Sequence, residues 1–159
     1  MAPEVTGHTP VKKICLVDYG LVSKYIQGGV VHKPYGIGER LAHEGTSEYI
    51  SKDGHLGCVS RRGDIDVLRY CLIEWLGGKS PWDQPTQPHP KTIHKNKINA
   101  FENKATFLQE AFSETLYYTK LPQPILKQLM NYIEILKFED KPDYDSTESH
   151  SQANGTVFL

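Results

Sequence analysis

The sequence predicts a mainly α-helical domain, on three observations. Residues Ser60–Gly78, SRRGDIDVLRYCLIEWLGG, are apolar around most of a helical circumference. Two later stretches carry apolar residues at helical spacing, and only one short run, KKICLV at residues 12–17, reads as a strand.

Residues 1–10, MAPEVTGHTP, are small and polar with two prolines, which predicts a loose segment. KKICLV is expected as a short, partly buried strand running into Asp18-Tyr19-Gly20, a triplet that alone reads as a turn. Residues 21–44 are rich in glycine and mixed charge and lack sustained periodicity.

In the long apolar stretch, Ile65, Leu68, Leu72, Trp75 and Leu76 share one helical face, so Leu68 and Trp75 are expected at the centre of the core. Val67, Tyr70, Cys71 and Ile73 lie off that face, and Arg62, Asp66 and Arg69 form a narrow polar strip. Ser60 can cap the first turn, and Asp64 sits where the helix dipole favours a carboxylate. Gly77-Gly78 supply the stop, with Pro81 shortly beyond. The prolines of the following DQPTQPHPKTIHKNK, residues 83–97, predict an irregular loop.

Ile98, Phe101, Ala105, Leu108 and Phe112 then predict one amphipathic helix, broken by Leu121-Pro122-Gln123-Pro124. A second follows on Ile125, Leu129, Tyr132, Ile133 and Leu136. The last fifteen residues, DSTESHSQANGTVFL at 145–159, are polar and aperiodic and predict a disordered tail.

Several of these stretches share a family likeness. S-R-R-x-D at Ser60–Asp64, the apolar helix, and G-x-x-P-W ending at Trp82 resemble the central helix of protein kinases of the casein kinase I group. Within that group the run from Gly45 to Trp82 resembles the vaccinia-related kinases, whose D-Y-G matches Asp18-Tyr19-Gly20. His43-Glu44-Gly45-Thr46-Ser47-Glu48-Tyr49 resembles the family's H-x-G-T-x-E-(F/Y), and Gly29–Lys33 its G-V-x-H-K. Ser51-Lys52-Asp53 stands where most kinases have A-P-E, and Lys141-Pro142-x-Tyr144 resembles the family's K-P-x-Y.

The resemblance implies a mainly α, protein-kinase-like C-terminal lobe with a short β element at the D-Y-G junction, the nucleotide lobe being absent. It implies that Asp18 holds Mg²⁺ on the phosphates of ATP in the complete parent kinase. Gly45 and Thr46 would lie on the substrate side, while Arg61, Asp64 and Trp82 would be structural. Asp64 would cap the catalytic loop from below, or serve as an ordinary helix-start carboxylate. One departure is Arg69, where the family usually has Gly at a close helix contact.

The resemblance covers about residues 11–144, leaving 1–10 and 145–159 as flanks. Phosphoryl transfer also needs a Gly-rich loop, a strand Lys, a base and a second set of metal ligands. Gly36-Ile37-Gly38 follows D-Y-G and lacks the third glycine; no His-x-Asp precedes Asp18; and the first asparagine in the chain is Asn96. The expectation is a partial Ser/Thr kinase, inactive and free of ATP by itself, with a non-catalytic binding module or a degraded gene copy as the alternatives. Its partners would be a protein substrate or the parent kinase, with self-association through apolar surface that a missing lobe would cover.

The 159 residues suffice for one domain with a core, and the net charge of −1 provides no electrostatic argument for nucleic acid or an anionic membrane. No leading apolar run reads as a secretion signal, and no stretch is long enough to span a bilayer. Cys15, Cys58 and Cys71 are expected as reduced, mostly buried thiols of an intracellular protein, nuclear or cytoplasmic by the resemblance. Asn154-Gly155-Thr156 matches a glycosylation sequon, read as chance without an export signal. His55-x-x-Cys58 has metal-like spacing without a second pair, too few ligands for structural zinc.

Overall fold

The computed structural model describes residues 15–29, 31–36, 38, 42, 44–86, 88–115 and 122–144. The expectations for residues 1–10 and 145–159, and for most of the lysine-rich start of KKICLV, lie outside the described residues. The chain divides into two units, Met1–Gly20 with Asp143–Leu159, and Leu21–Pro142.

Of the first unit, the stretch Cys15–Gly20 is irregular and exposed, with Leu16 and Val17 turned to solvent. The expected buried strand is therefore absent at its described residues. A strand needs a neighbour for its backbone groups, and none pairs with Cys15–Val17 among the described residues. Cys15 is accordingly exposed, Cys71 half-buried, and Cys58 alone buried, its thiol donating to the Gly36 carbonyl at 3.0 Å.

The second unit begins with a small antiparallel hairpin, β1 (Ile26–Gln27) and β2 (Val31–His32), in register Ile26 to His32 and Gln27 to Val31. Gly28 and Gly29 turn it with positive φ of 63° and 86°, a backbone that costs glycine little. The short β element thus lies within the stretch that showed no periodicity, because two-residue strands are too short to display one.

Helix α1 (Arg61–Trp75) follows a 3-10 turn at Gly54–Leu56. Ser60 caps it as expected, its hydroxyl accepting from the Gly63 amide at 3.0 Å, and Gly77 ends it with φ of 81°. The buried side is not the expected one. Trp75 is 58% exposed and Leu68 only half-buried, whereas Gly63, Asp66, Arg69, Tyr70, Leu72 and Ile73 are buried. The polar strip turns inward because its members satisfy one another. Asp66 accepts from Arg69 Nε at 3.1 Å and Nη2 at 2.7 Å, and from the Lys52 amide at 3.1 Å.

The loop after Trp82 becomes helical earlier than its prolines suggest. Helix α2 (Pro90–Glu102) starts with Pro90 in its first turn, where a missing N–H costs nothing, and His89 Nδ1 caps it by accepting from the Lys91 amide at 3.2 Å. The single helix expected next is two. Asn103, at φ −121° and ψ 50°, separates α2 from α3 (Lys104–Ala111). Phe101, Leu108 and Phe112 are buried, while Ile98 and Ala105 are exposed.

Helix α4 (Pro122–Ile135) buries Leu126, Met130 and Ile133, leaving Ile125, Leu129 and Tyr132 half-buried at the margin. Helix α1 packs on α4, α4 on α3, and α3 on α2, enclosing a core of Tyr70, Ile73, Trp82, Ile93, Phe101, Phe107, Leu108, Phe112, Leu126 and Met130. Among the described residues no helix is long and apolar enough to cross a membrane.

Candidate functional site

Each residue singled out from the sequence has a definite setting. Asp18 adopts φ of 61°, the left-handed region that is uncommon outside glycine and is found most among Asn and Asp. Its Oδ1 accepts from the Gly20 amide at 3.2 Å, closing a short turn that fixes the carboxylate. Tyr19 beside it is exposed, its hydroxyl donating to the Leu16 carbonyl at 3.1 Å. Asp18, Tyr19 and Gly20 belong to the first unit, whereas Gly45, Thr46, Arg61, Asp64 and Trp82 belong to the second.

The donor set can be tested against Mg²⁺ bound with a nucleotide, which takes one or two carboxylates together with phosphate oxygens and water. Asp18 is exposed and has a carboxylate oxygen uncommitted among the described contacts, so it suits one ligand position. No cluster of three or more His, Cys, Asp or Glu stands ready to hold a metal among the described residues. The set offered is thus partial. His55 and Cys58 do not converge on a shared site: the Cys58 thiol points to Gly36, and the His55 ring stacks on His94 at 5.2 Å.

Gly45 and Thr46 are exposed at the start of a tight turn, Gly45 with φ of 94°. The Thr46 carbonyl accepts from the amides of Tyr49 at 2.9 Å and Ile50 at 3.2 Å. The turn is held from below by two core residues that follow it in the chain. Trp82 Nε1 donates to the Glu48 carbonyl at 3.2 Å, and Lys97 Nζ donates to the carbonyls of Ser47 at 2.8 Å and Ile50 at 2.5 Å. From the side, the Tyr49 hydroxyl donates to Glu74 at the end of α1, which with partial burial pushes that phenol up to about 12.

Trp82 is almost wholly buried, stacked on Phe107 at 5.7 Å and edge-on to Tyr70 at 5.6 Å. Arg61 donates through Nη2 to the Glu139 carbonyl at 2.9 Å and lies over the Tyr25 ring at 4.6 Å, tying the start of α1 to the segment after α4 and to the hairpin. Asp64 is exposed in the first turn of α1, and partial shielding of its carboxyl raises its pKa.

Arg69, the departure from the family's glycine, is accommodated by pairing. Its guanidinium is fully buried, bonds to Asp66, and lies against the rings of Tyr70 at 3.9 Å, Phe101 at 4.8 Å and Phe107 at 5.7 Å. A small crevice lined by Lys52, Asp53, Arg62, Asp66, Ile133 and Glu134 contains none of the residues singled out for catalysis or substrate. Within it Asp53, of the S-K-D that replaces A-P-E, pairs with Arg62 at 2.7 Å.

Sequence reasoning missed Lys97, since a lysine in KTIHKNK reads as solvated surface. It also missed the inward turn of Asp66 and Arg69. Their spacing of three was the available signal, as it lets an acid and a base pair on one helix face.

No family model matches the chain. Relatives are nevertheless clear, and they define its class as a kinase C-terminal-lobe-like domain. The chain is 37% identical over 135 residues to nucleosomal histone kinase 1 of Drosophila melanogaster, covering 84% of this chain and 21% of that protein. It is 35% identical over 138 residues to the pseudokinase OPG198 of vaccinia virus (strain Copenhagen), covering 84% and 44%. The solved structure of vaccinia related kinase 3 matches with a TM-score of 0.67 and 29% identity, over 89% of this chain and 43% of that one. The chain is a homologue of the vaccinia-related kinases, a group whose matched members include serine/threonine kinases and pseudokinases. It spans less than half the length of these relatives.

Proposed function

We propose that the chain is part of a Ser/Thr protein kinase of the vaccinia-related type, with the partial kinase domain at residues 11–144. In its complete form such a protein transfers phosphate from ATP to Ser or Thr of a protein substrate, with Mg²⁺ as cofactor. The observation that carries this reading is the likeness to a histone kinase over 84% of the chain, together with the D-Y-G whose Asp18 is fixed in the left-handed region.

Asp18 is assigned as a metal ligand that shares the charge of Mg²⁺·ATP. Gly45 and Thr46 are assigned to the acceptor peptide, and Arg61, Asp64 and Trp82 to holding the lobe together. The histone substrate named for the Drosophila relative makes a basic nuclear protein the first substrate to try, and the nucleus the first compartment. One carboxylate cannot by itself position a nucleotide, because the phosphates need several donors and the acceptor hydroxyl needs a base. The 159 residues alone are therefore assigned no transfer activity and no tight ATP binding.

The test joins the chain to the nucleotide lobe and catalytic loop of a vaccinia-related kinase and follows radiolabel transfer to histone. The joined protein is expected to transfer label, Asp18→Asn in it to abolish transfer, and the 159-residue chain to transfer none. Transfer by the short chain, or full activity of the joined protein carrying Asp18→Asn, would overturn the reading.

The pseudokinase among the relatives favours a second reading, a non-catalytic module that engages kinase substrates or a kinase itself. Exposed Leu21, Val22 and Val31 supply apolar surface for such contacts or for self-association. On this reading the purified chain inhibits histone phosphorylation by a vaccinia-related kinase, and Thr46→Val weakens the inhibition. Absence of inhibition at any concentration up to the solubility limit would exclude it.

A further inference from the structure

Lys97 is the one fully buried lysine among the described residues, and none of the roles above uses it. Burying an ammonium is costly unless its donors are met. Here two are met by the backbone of a segment about fifty residues earlier, the carbonyls of Ser47 and Ile50 at 2.8 and 2.5 Å. The faces of Tyr70 at 4.5 Å and Trp82 at 5.5 Å complete the surroundings.

Together with Trp82, Lys97 engages the turn almost completely. The carbonyls of Thr46, Ser47, Glu48 and Ile50 are taken by the turn's own amides, by Lys97, by the Trp82 indole and again by Lys97. The exposed residues of the turn are Gly45 and Thr46, with Ser47, Glu48 and Tyr49 half-buried behind them. A helix-borne side chain thus decides how the exposed end of a loop is shaped.

We propose that Lys97 is a positioning residue, whose buried ammonium holds the Ser47 and Ile50 carbonyls from beneath and so sets the conformation in which Gly45 and Thr46 meet an acceptor peptide. The peptide-facing part rests on the substrate assignment made above; the clamp itself does not. Charge matters to the clamp, because a hydrogen bond from an ammonium is about twice as strong as one from a neutral donor. Burial lowers the Lys97 pKa to about 7, with Asp66 of α1 and Glu48 of the turn raising it and Arg69 of α1 lowering it. Tyr70 of α1 faces it as a neutral ring. An opened turn returns Lys97 to water and to a pKa of about 10.4, so the closed turn is favoured as the pH rises through neutrality.

Amide hydrogen exchange on the 159-residue chain, read residue by residue by NMR, tests this. Lys97→Met keeps the apolar stem and removes the ammonium. It is expected to lower protection of the Tyr49 and Ile50 amides about tenfold while α3 and α4 keep theirs, and Lys97→Arg to restore part of the loss. If Lys97 were only a core filler, Lys97→Met would leave those two amides within about twofold of the parent, and the proposal would fall.

Should Lys97→Met unfold the chain, the parent's own pH profile decides. Corrected for intrinsic exchange, protection of Tyr49 and Ile50 should rise relative to α3 and α4 between about pH 6 and 8.5, because opening the turn returns Lys97 to water and to its ordinary pKa. A flat ratio overturns the proposal. Failure of the substrate assignment shows separately, as a joined protein carrying Thr46→Val that labels histone with an unchanged KM while the exchange results stand.

Discussion

Replacing Asp66 by alanine tests the arrangement at the heart of the helical unit. Asp66 holds three donors: Arg69 Nε at 3.1 Å, Arg69 Nη2 at 2.7 Å and the Lys52 amide at 3.1 Å. The guanidinium it neutralises has no exposed surface. Removing the carboxylate leaves a buried cation with aromatic faces for company, and removing one member of a buried pair costs about 3–5 kcal/mol. Lys97 deepens the loss, because Asp66 supports its ammonium and Arg69 opposes it. Of a total stability of about 5–15 kcal/mol, such a change consumes a large share.

Two further variants separate charge from shape. Asp66→Asn keeps an acceptor for the Lys52 amide and should fall between parent and Asp66→Ala. Asp66→Ala with Arg69→Met removes both charges and fills the space between Phe101 and Phe107 with an apolar side chain. It should be more stable than Asp66→Ala alone, with a coupling of about 1–3 kcal/mol in the cycle. Urea melts with linear extrapolation measure the parent, these three variants and Arg69→Met alone, which closes the cycle. An Asp66→Ala variant within about 1 kcal/mol of the parent, or strictly additive single and double changes, would refute the reasoning.

The remaining predictions concern packing and pH. Trp82→Ala should cost about 3–5 kcal/mol in the same melts, while Trp75→Ala, at a 58% exposed position, should cost less than about 1 kcal/mol; equal losses would contradict the placement of α1. Gly57→Ala should destabilise by about 1–3 kcal/mol or more, since Gly57 has φ of 74° and an added Cβ would lie 2.0 Å from the Gly38 carbonyl oxygen; an unchanged melt would disprove that close approach. Burial raises the Tyr70 phenol, with Arg69 pulling it down and Asp66 up. A folded-state pKa above the unfolded value near 10 means that the fold favours the protonated phenol, so this contribution is complete below about pH 10 and is lost as the pH rises further. Tyr70→Phe should therefore flatten the alkaline loss of stability, and a pH profile identical to the parent's would count against it.

Features completed within a few residues were legible in the order of the chain. Ser60 and Gly77 set the ends of α1 through one hydroxyl and one positive φ, and neither depends on a distant partner. The D-Y-G, the H-x-G-T-x-E-Y and the S-R-R-x-D were legible as a kinase-like set because each is a contiguous run of specific side chains. Which way α1 faces was settled only by packing. A helix apolar on most sides has no stripe strong enough to orient it, so its partners chose. Arg69 found Asp66, Phe101 and Phe107 inside, and Trp75 was left at the end of the helix in solvent.

The same holds for α2 and α3. Their apolar residues run on through Asn103 at helical spacing, so periodicity could not reveal the break. The start of α2 was a local signal, Pro90 in the first turn with His89 as its cap, hidden among prolines that read as a loop. Lys97 is the extreme case. Nothing in a lysine-rich loop marks one lysine for burial, because the carbonyls that make burial tolerable belong to Ser47 and Ile50, and only the folded chain brings them within reach.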